Sequence, residues 1–296
     1  MNPISSTESI NLATQNLDLL EPQELVGTFI EDQFNAVQAV KNAAPEIARA
    51  VELAVVRLEL GGRLIYAGAG TSGRLAFLDA AELIPTFSWS ADRALVAMAG
   101  GSKAVFHAVE GAEDDFNQGR IDVLALSPTA NDVLIAVAAS GSTPYALGAL
   151  AAAKTVGALR IGISNNPNAP ILEQAEVGIL LETGAEVISG STRLKAGTAQ
   201  KIALNTFSSS VMVRLHKVYG NLMVDLQATN IKLVKRAIRL TMLATNKTET
   251  EATQALENCG YHIKTAIVML ERQLNANNAK ALLEQHHGNV RACLKT

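Results

Sequence analysis

Five short apolar runs, each followed by polar or glycine residues and then by helical spacing, constrain the fold of this chain more than any other feature. Strands that are buried on both faces are continuous apolar runs, and their alternation with helices favours a parallel sheet covered on both sides. We therefore predict an α/β fold with a doubly wound, five-stranded parallel sheet and flanking helices. The five runs are residues 63–67, 95–99, 133–138, 161–163 and 177–181.

Helical spacing surrounds this predicted sheet. Residues 1–20 are polar and are predicted to form an irregular arm, whereas apolar residues from Leu25 to Leu58 recur at three- and four-residue steps and predict two helices, with Pro45 near the start of the second. A long helical stretch follows Thr192 and runs to about Gly220. Beyond it, further helices are expected at 226–244, 249–258, 261–275 and 279–283.

Three regions follow from these patterns. We predict an N-terminal arm with helices over 1–55, a sugar-phosphate-binding catalytic domain over 56–220 and a small all-helical subdomain over 221–296. Parallel sheets bind ligands beyond the carboxyl ends of their strands, so the loops at those ends of the central region are the first place to look for a site.

Composition and charge exclude several classes of function. The net charge of −3 provides no basic surplus for nucleic acid or an anionic membrane. The start of the chain has no signal-peptide pattern, and no apolar stretch is long enough to span a bilayer, so we expect a cytoplasmic protein. The two cysteines, Cys259 and Cys293, have neither zinc-ligand nor disulfide-framework spacing, and we interpret them as ordinary thiols.

Two loops have the composition of phosphate sites. One carries Gly70, Thr71 and Ser72, and the other carries Ser140, Ser142 and Thr143. Their glycines admit a ligand close to the backbone, their hydroxyls can bind phosphate oxygens, and a helix N-terminus follows each loop.

These loops also fit other interpretations. Helix capping alone would explain either of them, but two matching loops on one parallel sheet favour phosphate. Residues 68–73 also fit the dinucleotide pattern GxGxxG, although no acidic residue ends the second strand as that motif requires.

A third segment, residues 184–200, is denser in chemistry. Ser191 or Thr192 is expected to cap the next helix, with Arg193 and Lys195 in its first turn. Basic residues at that position oppose the helix dipole, so local helix stability does not explain them. A site for anionic ligand groups is preferred over a solvated basic turn, with Glu186, Ser189, Ser191 and Lys195 as weaker candidates for substrate binding.

These segments together resemble a known family. The two hydroxyl loops resemble the SIS (sugar-phosphate isomerase) domain, and residues 184–200 resemble the signature shared by glucokinase regulatory proteins and bacterial N-acetylmuramic acid 6-phosphate etherases. Residues 64–82, 107–114, 195–201 and 220–225 resemble the etherases specifically, and the similarity covers nearly the whole chain. One departure is Leu83-Ile84-Pro85, where the family usually has a Cys-Pro-Pro-like sequence.

The resemblance implies an etherase that releases D-lactate from its substrate by elimination and hydration, without metal or other cofactor. Glu82 and Glu113 match the two catalytic carboxylates of the family. We assign Glu82 as the acid for the departing oxygen and Glu113 as the base at C2, although these roles could be exchanged. Asp79 competes with Glu82, Glu110 competes with Glu113, and His107 is left without a role.

The resemblance also implies a sugar-phosphate substrate and a homodimer, because SIS domains typically pair with their sites near the interface. A phosphosugar aldose–ketose isomerase, a non-catalytic sugar-phosphate sensor and, last, an NAD enzyme are the alternatives. Release of lactate separates the etherase from all three.

Overall fold

A computed structural model describes residues 5–226, 228 and 230–295 of the chain. Five strands form one sheet in the order β2-β1-β3-β4-β5, and every neighbouring pair is parallel. The predicted doubly wound parallel sheet is therefore confirmed. The strands are β1 (Leu64–Gly68), β2 (Ala94–Met98), β3 (Val133–Val137), β4 (Leu159–Ser164) and β5 (Val177–Leu180).

Eight helices accompany the sheet in the order of the chain. They are α1 (Pro22–Asn42), α2 (Ala44–Glu59), α3 (Gly70–Phe87), α4 (Lys103–Phe106), α5 (Phe116–Ala125), α6 (Pro144–Thr155), α7 (Pro170–Gln174) and α8 (Lys195–Arg214). The two predicted N-terminal helices are confirmed as α1 and α2, and Pro45 lies in the first turn of α2, where proline costs nothing. The described part of the arm, residues 5–20, forms short 3₁₀ turns.

Small side chains let α6 pack closely against the sheet. Every residue of β1 and β3 is buried, including Ile65 and Leu134. These side chains share one apolar cluster with alanines of α6, such as Ala146 and Ala149. This packing explains why the sequence supplies its apolar content largely as small residues.

The chain divides into two compact units. The first contains Met1–Ala81 and Ala91–Ser209, and the second contains Glu82–Ser90 and Ser210–Thr296. The sheet lies entirely in the first unit. The predicted division at 55/56 and 220/221 into separate domains stays a prediction.

The second unit contains a helical cluster with its own apolar core, which includes Leu256, Ile267 and Leu283. Its helices are α9 (Ile231–Thr245), α10 (Glu249–Asn258), α11 (Ile263–Arg272), α12 (Ala276–Gln285) and α13 (Val290–Lys295). The predicted all-helical character of this region is confirmed, and α10 has the predicted bounds.

Asparagine caps explain where the other predicted bounds are wrong. The helix predicted over 226–244 begins only at Ile231, because the Asn230 side chain accepts the Leu233 N–H and sets the N-terminus there. The helix predicted over 279–283 begins three residues earlier, because Asn275 caps it in the same way. Helix α13 was not predicted.

Several predicted features fall partly outside the described residues. These are residues 1–4 of the arm, residues 227 and 229 of the predicted helix and residue 296. Across the part of the chain that the structure describes, no helix is both long and apolar enough to cross a membrane.

Glycines bring α5 and α6 into backbone contact. A Cβ atom on Gly119 would lie 2.0 Å from the carbonyl oxygen of Tyr145, and one on Gly148 would lie 2.0 Å from that of Phe116. Only glycine permits this approach, so the two helices form one closely packed pair. The turn Ala112–Asp114, which precedes α5, also contacts α6.

We expect Gly148→Ala to lower the free energy of unfolding by about 1–3 kcal/mol or more, because the added methyl group must push α5 and α6 apart. Gly27→Ala is the matched control. It lies inside α1 with no atom within 4 Å of the new Cβ and should raise stability by about 0.5–1 kcal/mol. Urea unfolding monitored by circular dichroism measures both changes, and equal stability of the two variants would contradict the proposed close contact.

Candidate active site

The order of the strands places the two hydroxyl loops side by side. Strand β1 lies between β2 and β3, so the chain reverses its direction of travel across the sheet at the β1–β3 pair. In open α/β sheets, ligands bind at such a switch point, beyond the carboxyl ends of the strands. Gly68 and Val137, the last residues of β1 and β3, are paired in register, so the two following loops leave the sheet at the same level.

The first predicted loop is the first turn of α3 rather than a separate loop. Only Ala69 separates β1 from the helix, which begins at Gly70 with φ of +53°. Ser72 is buried and Thr71 half-buried. No described residue accepts a hydrogen bond from the backbone N–H groups of Gly70, Thr71 or Ser72, so these donors and the positive end of the helix dipole are open to an anion.

The second loop keeps its predicted form and leads into α6. Thr143 is the N-cap residue, but its side chain makes no capping hydrogen bond, so capping does not explain its hydroxyl. Ser140 and Ser142 are exposed, and the Ser140 hydroxyl accepts the Ser142 N–H at 3.2 Å. Gly141 has φ of +66°, and a Cβ there would lie 2.4 Å from Cβ of Ala169, so this position requires glycine.

Two residues of the third segment are held by buried contacts within the chain. The Glu186 carboxylate accepts the backbone N–H groups of Lys195 and Ala196, at 3.1 and 2.9 Å, and thereby caps α8. Burial raises the pKa of this carboxyl, while those hydrogen bonds oppose the shift. The expected capping by Ser191 or Thr192 is wrong, because Glu186 occupies that role.

Lys195 has a partner that sequence spacing could not reveal. Its ammonium group lies 2.7 Å from a carboxylate oxygen of Asp32 on α1, and both side chains are largely buried. It also donates to the carbonyl oxygen of Ala185. This ion pair explains a basic residue at a helix N-terminus, which the dipole alone disfavours. Binding of substrate by Glu186 and Lys195 stays a prediction.

The N-terminal arm contacts the same segment. The Ser189 hydroxyl accepts the Asn11 N–H at 3.2 Å, and Thr14 donates to the carbonyl oxygen of Val187 at 2.9 Å. Ser191 is half-buried, and its N–H donates to the carbonyl oxygen of Ile188. The arm therefore holds this segment in place, and no sequence motif indicated that role.

Helix α8 brings the third segment to the first phosphate turn. A Cβ atom on Gly197 would lie 3.4 Å from the methyl carbon of Thr71. Since Gly197 is in the first turn of α8 and Thr71 in the first turn of α3, the two helix N-termini lie close together. The structure thus places three of the sequence-predicted segments at one edge of the sheet.

A buried carboxylate holds α3 against the sheet and α8. Asp79 accepts hydrogen bonds from the Tyr66 hydroxyl of β1, at 2.9 Å, and from the Ser208 hydroxyl of α8, at 3.0 Å. Burial raises the pKa of Asp79, and the two hydroxyl donors partly oppose the shift. Both oxygens of Asp79 are therefore occupied by the protein, which weakens Asp79 as a competitor of Glu82.

The two predicted catalytic carboxylates are both exposed. Glu82 lies on α3, three residues beyond Asp79, and Glu113 lies in the Ala112–Asp114 turn that contacts α6. The competitor Glu110 and the side chain of His107 are exposed as well. Among the described residues, no group of three or more His, Cys, Asp or Glu side chains could hold a metal ion.

Comparison with known proteins identifies the class of this site. Residues 46–154 match the glucokinase regulatory protein N-terminal SIS domain, and residues 103–210 match the SIS domain. A solved phosphoheptose isomerase from Francisella tularensis has the same fold, with a TM-score of 0.51 and 20% identity over 66% of this chain and 100% of that one. The chain is therefore an SIS-domain protein.

Full-length relatives define the family. An N-acetylmuramic acid 6-phosphate etherase from Deinococcus radiodurans is 54% identical over 97% of this chain and 94% of its own length. A protein of the same name from Pectobacterium atrosepticum is 48% identical over 97% of this chain and 95% of its own. The chain belongs to the N-acetylmuramic acid 6-phosphate etherase family and is an enzyme. The resemblance seen in the sequence is confirmed.

We expect Tyr66→Phe to lower the free energy of unfolding by about 1–3 kcal/mol at neutral pH, because Asp79 loses a donor while buried and charged. The Tyr66 hydrogen bond favours the charged carboxylate. Its contribution is therefore present above the raised folded pKa of Asp79 and is lost as the pH falls through that value.

The control for this prediction is Tyr145→Phe, which removes a hydrogen bond of 2.6 Å to the half-buried Asp122. Asp122 retains access to water, so the loss should be smaller. Denaturant unfolding at several pH values measures both variants. A Tyr66→Phe loss that is equal at acidic and neutral pH would show that Asp79 is not the group concerned.

Proposed function

We propose that this chain cleaves the lactyl ether of N-acetylmuramic acid 6-phosphate, giving N-acetylglucosamine 6-phosphate and D-lactate, with Glu82 and Glu113 as its acid and base. Identity of 54% to a named etherase across 97% of the chain is the observation that carries the reaction. The arrangement of the site supports the details, which the following paragraphs give in turn.

The phosphate of the substrate would bind at the N-termini of α3 and α6. Thr71 and Ser72 supply hydroxyls and open backbone N–H groups at the first helix, and Ser140, Ser142 and Thr143 supply hydroxyls at the second. Two helix dipoles that converge on the switch point of one sheet favour a dianionic group. Gly70 admits the ligand because it carries no side chain.

The chemistry requires an acid and a base because an alkoxide is a poor leaving group. Opening of the sugar ring exposes an aldehyde at C1 and makes the proton on C2 acidic. A base removes that proton, the C3–oxygen bond breaks, and an acid protonates the lactyl oxygen as it leaves. Water then adds to C3 of the unsaturated aldehyde, and a proton returns to C2. No electrons are transferred to or from the substrate, so no redox cofactor is required.

Glu82 is proposed as the acid and Glu113 as the base. Both are exposed in the chain and therefore accessible to substrate, whereas both oxygens of Asp79 already accept hydrogen bonds. Contact between the Glu113 turn and α6 keeps this carboxylate with the helix that would hold the phosphate. General acid and base groups of this kind each contribute about 10²- to 10⁴-fold to the rate.

The decisive experiment is incubation of the purified protein with N-acetylmuramic acid 6-phosphate in ¹⁸O-water. Elimination followed by hydration places the label at C3 of the sugar and none in the D-lactate. Label in the lactate would indicate attack on the lactyl carbon and would contradict the proposed mechanism. Binding without lactate would indicate a sensor, and an isomerised sugar that retains its lactyl group would indicate an isomerase.

Glu82→Gln and Glu113→Gln should each lower kcat by about 10²- to 10⁴-fold, whereas the exposed neighbour Glu110→Gln should retain most activity. Exchange of the C2 proton in deuterated water separates the two roles. If Glu113 is the base, Glu82→Gln still exchanges that proton and Glu113→Gln does not. The opposite pattern would exchange the roles, and full activity of either glutamine variant would remove that residue from the mechanism.

We further propose that two copies pair through α1. Val26, Ile30, Phe34 and Val37 follow helical spacing on this helix, and each is more than half exposed. Such a continuous apolar stripe is typical of an interface rather than of a solvated surface. A cytoplasmic location belongs to the same proposal, since a strongly hydrated phosphate ester does not cross a bilayer unaided. Cell fractionation with lactate release as the assay tests the location.

Replacement of Ile30 and Phe34 by Glu should convert a dimer to a monomer in analytical ultracentrifugation, because the charges would be buried without partners. Leu243→Glu, at a similarly exposed position on α9, is the control and should leave the dimer intact. Dissociation by the control alone would place the interface elsewhere, and a monomeric unaltered protein would overturn the proposal.

A further inference from the structure

The second compact unit contains a cavity of about 760 Å³ that the proposed reaction does not use. We name it the C-terminal cavity; it lies among the first turn of α11, helix α12 and residues 215–228. All of its lining residues belong to the second unit. Its wall is apolar at Leu215, Val224 and Leu283, and elsewhere it is charged.

Two lysines in this cavity share one carboxylate oxygen. The ammonium groups of Lys264 and Lys217 lie 2.8 and 3.0 Å from the same oxygen, Oδ2 of Asp225. The side chains of Lys264 and Asp225 are each 7% exposed, and that of Lys217 is 23% exposed. One negative charge thus faces two positive charges in a largely desolvated position.

The remaining charged residues of the lining do not offset this surplus. Lys280 and Glu284 also line the cavity and carry opposite charges, so they cancel each other. Burial lowers the pKa of Lys264, which reflects the cost of holding its charge away from water, while Asp225 opposes the shift. A buried cation is stabilised by an additional anionic partner.

The first turn of α11 adds donors of the same kind. Ile263, Lys264 and Thr265 line the cavity, and no acceptor among the described residues takes their backbone N–H groups. The N-cap residue, His262, makes no capping hydrogen bond with its side chain. The positive end of a ten-residue helix therefore faces the cavity beside the two lysines.

We propose that the C-terminal cavity binds a small organic anion through a phosphate or carboxylate group held by Lys264, Lys217 and the N–H groups of α11. The apolar wall would contact the rest of the molecule, and the volume is that of an ordinary small-molecule site. Lysine ammonium groups and helix N-termini recognise both phosphate and carboxylate, so the two kinds of ligand are separated by experiment. The site shares no residue with the proposed phosphate site on α3 and α6.

The test uses the full ¹⁵N-labelled chain, titrated separately with inorganic phosphate and with D-lactate. We expect saturable shifts of the amide resonances of Ile263, Lys264 and Thr265 with at least one probe. If only phosphate produces them, the ligand is a phosphate ester, and if only D-lactate does, it is a carboxylate. Because the shifts report on α11 alone, they are independent of phosphate binding at α3 and α6 and of lactate release by the enzyme.

Lys264→Met should weaken the titrated binding by about tenfold or more, the usual effect of losing a charge-assisted contact. Lys217→Met is the second variant. It leaves the Lys264–Asp225 pair intact, so it tests the charge surplus with the buried ion pair preserved, and it should also weaken binding. Lys235→Gln, an exposed lysine on α9, is the matched control and should bind as the unaltered chain does.

Two results would overturn the proposal. One is the absence of saturable shifts at residues 263–265 with both probes. The other is an equal loss of binding in Lys217→Met and Lys235→Gln, which would indicate general attraction of anions to a basic surface rather than a site.

Discussion

The parallel pairing of β1 with β3 is the constraint on which the site depends. Because β2 lies on one side of β1 and β3 on the other, the connections that leave β1 and β3 diverge, and a crevice opens between them. In-register pairing of Gly68 with Val137 then sets the starting points of both helices at one level. Every group proposed to hold phosphate follows one of these two strand ends within six residues.

Around this crevice, buried polar contacts rather than apolar packing hold the surrounding segments. Asp79 joins β1, α3 and α8 through two hydroxyls, Glu186 caps α8, and Lys195 joins that helix to α1 through Asp32. Each of these groups is desolvated, so each depends on its partners to offset that cost. The polar composition near the site therefore serves its architecture as well as its chemistry.

The sheet and its helices could be predicted from the sequence because their pattern is local: β1 and β3 are unbroken apolar runs, and α10 begins at Thr248 with a capping box. Contacts between distant residues could not be predicted in this way. Lys195 suggested an anion site because its partner, Asp32, lies 163 residues away in the chain. Asp79 competed with Glu82 until its contact with Ser208, 129 residues away, was known. Asn230 and Asn275 were available as caps, but apolar spacing outweighed them.

The glycine-mediated contact of α5 with α6 also limits how this protein can move. With backbone pressed against backbone at Gly119 and Gly148, the two helices have no side-chain layer along which to slide. Any opening or closing of the crevice during turnover must therefore carry α5, α6 and the turn before α5 as one rigid body. In such a body Glu113 keeps its distance from the start of α6 in every conformation, and the mobility needed for product release must come from other elements.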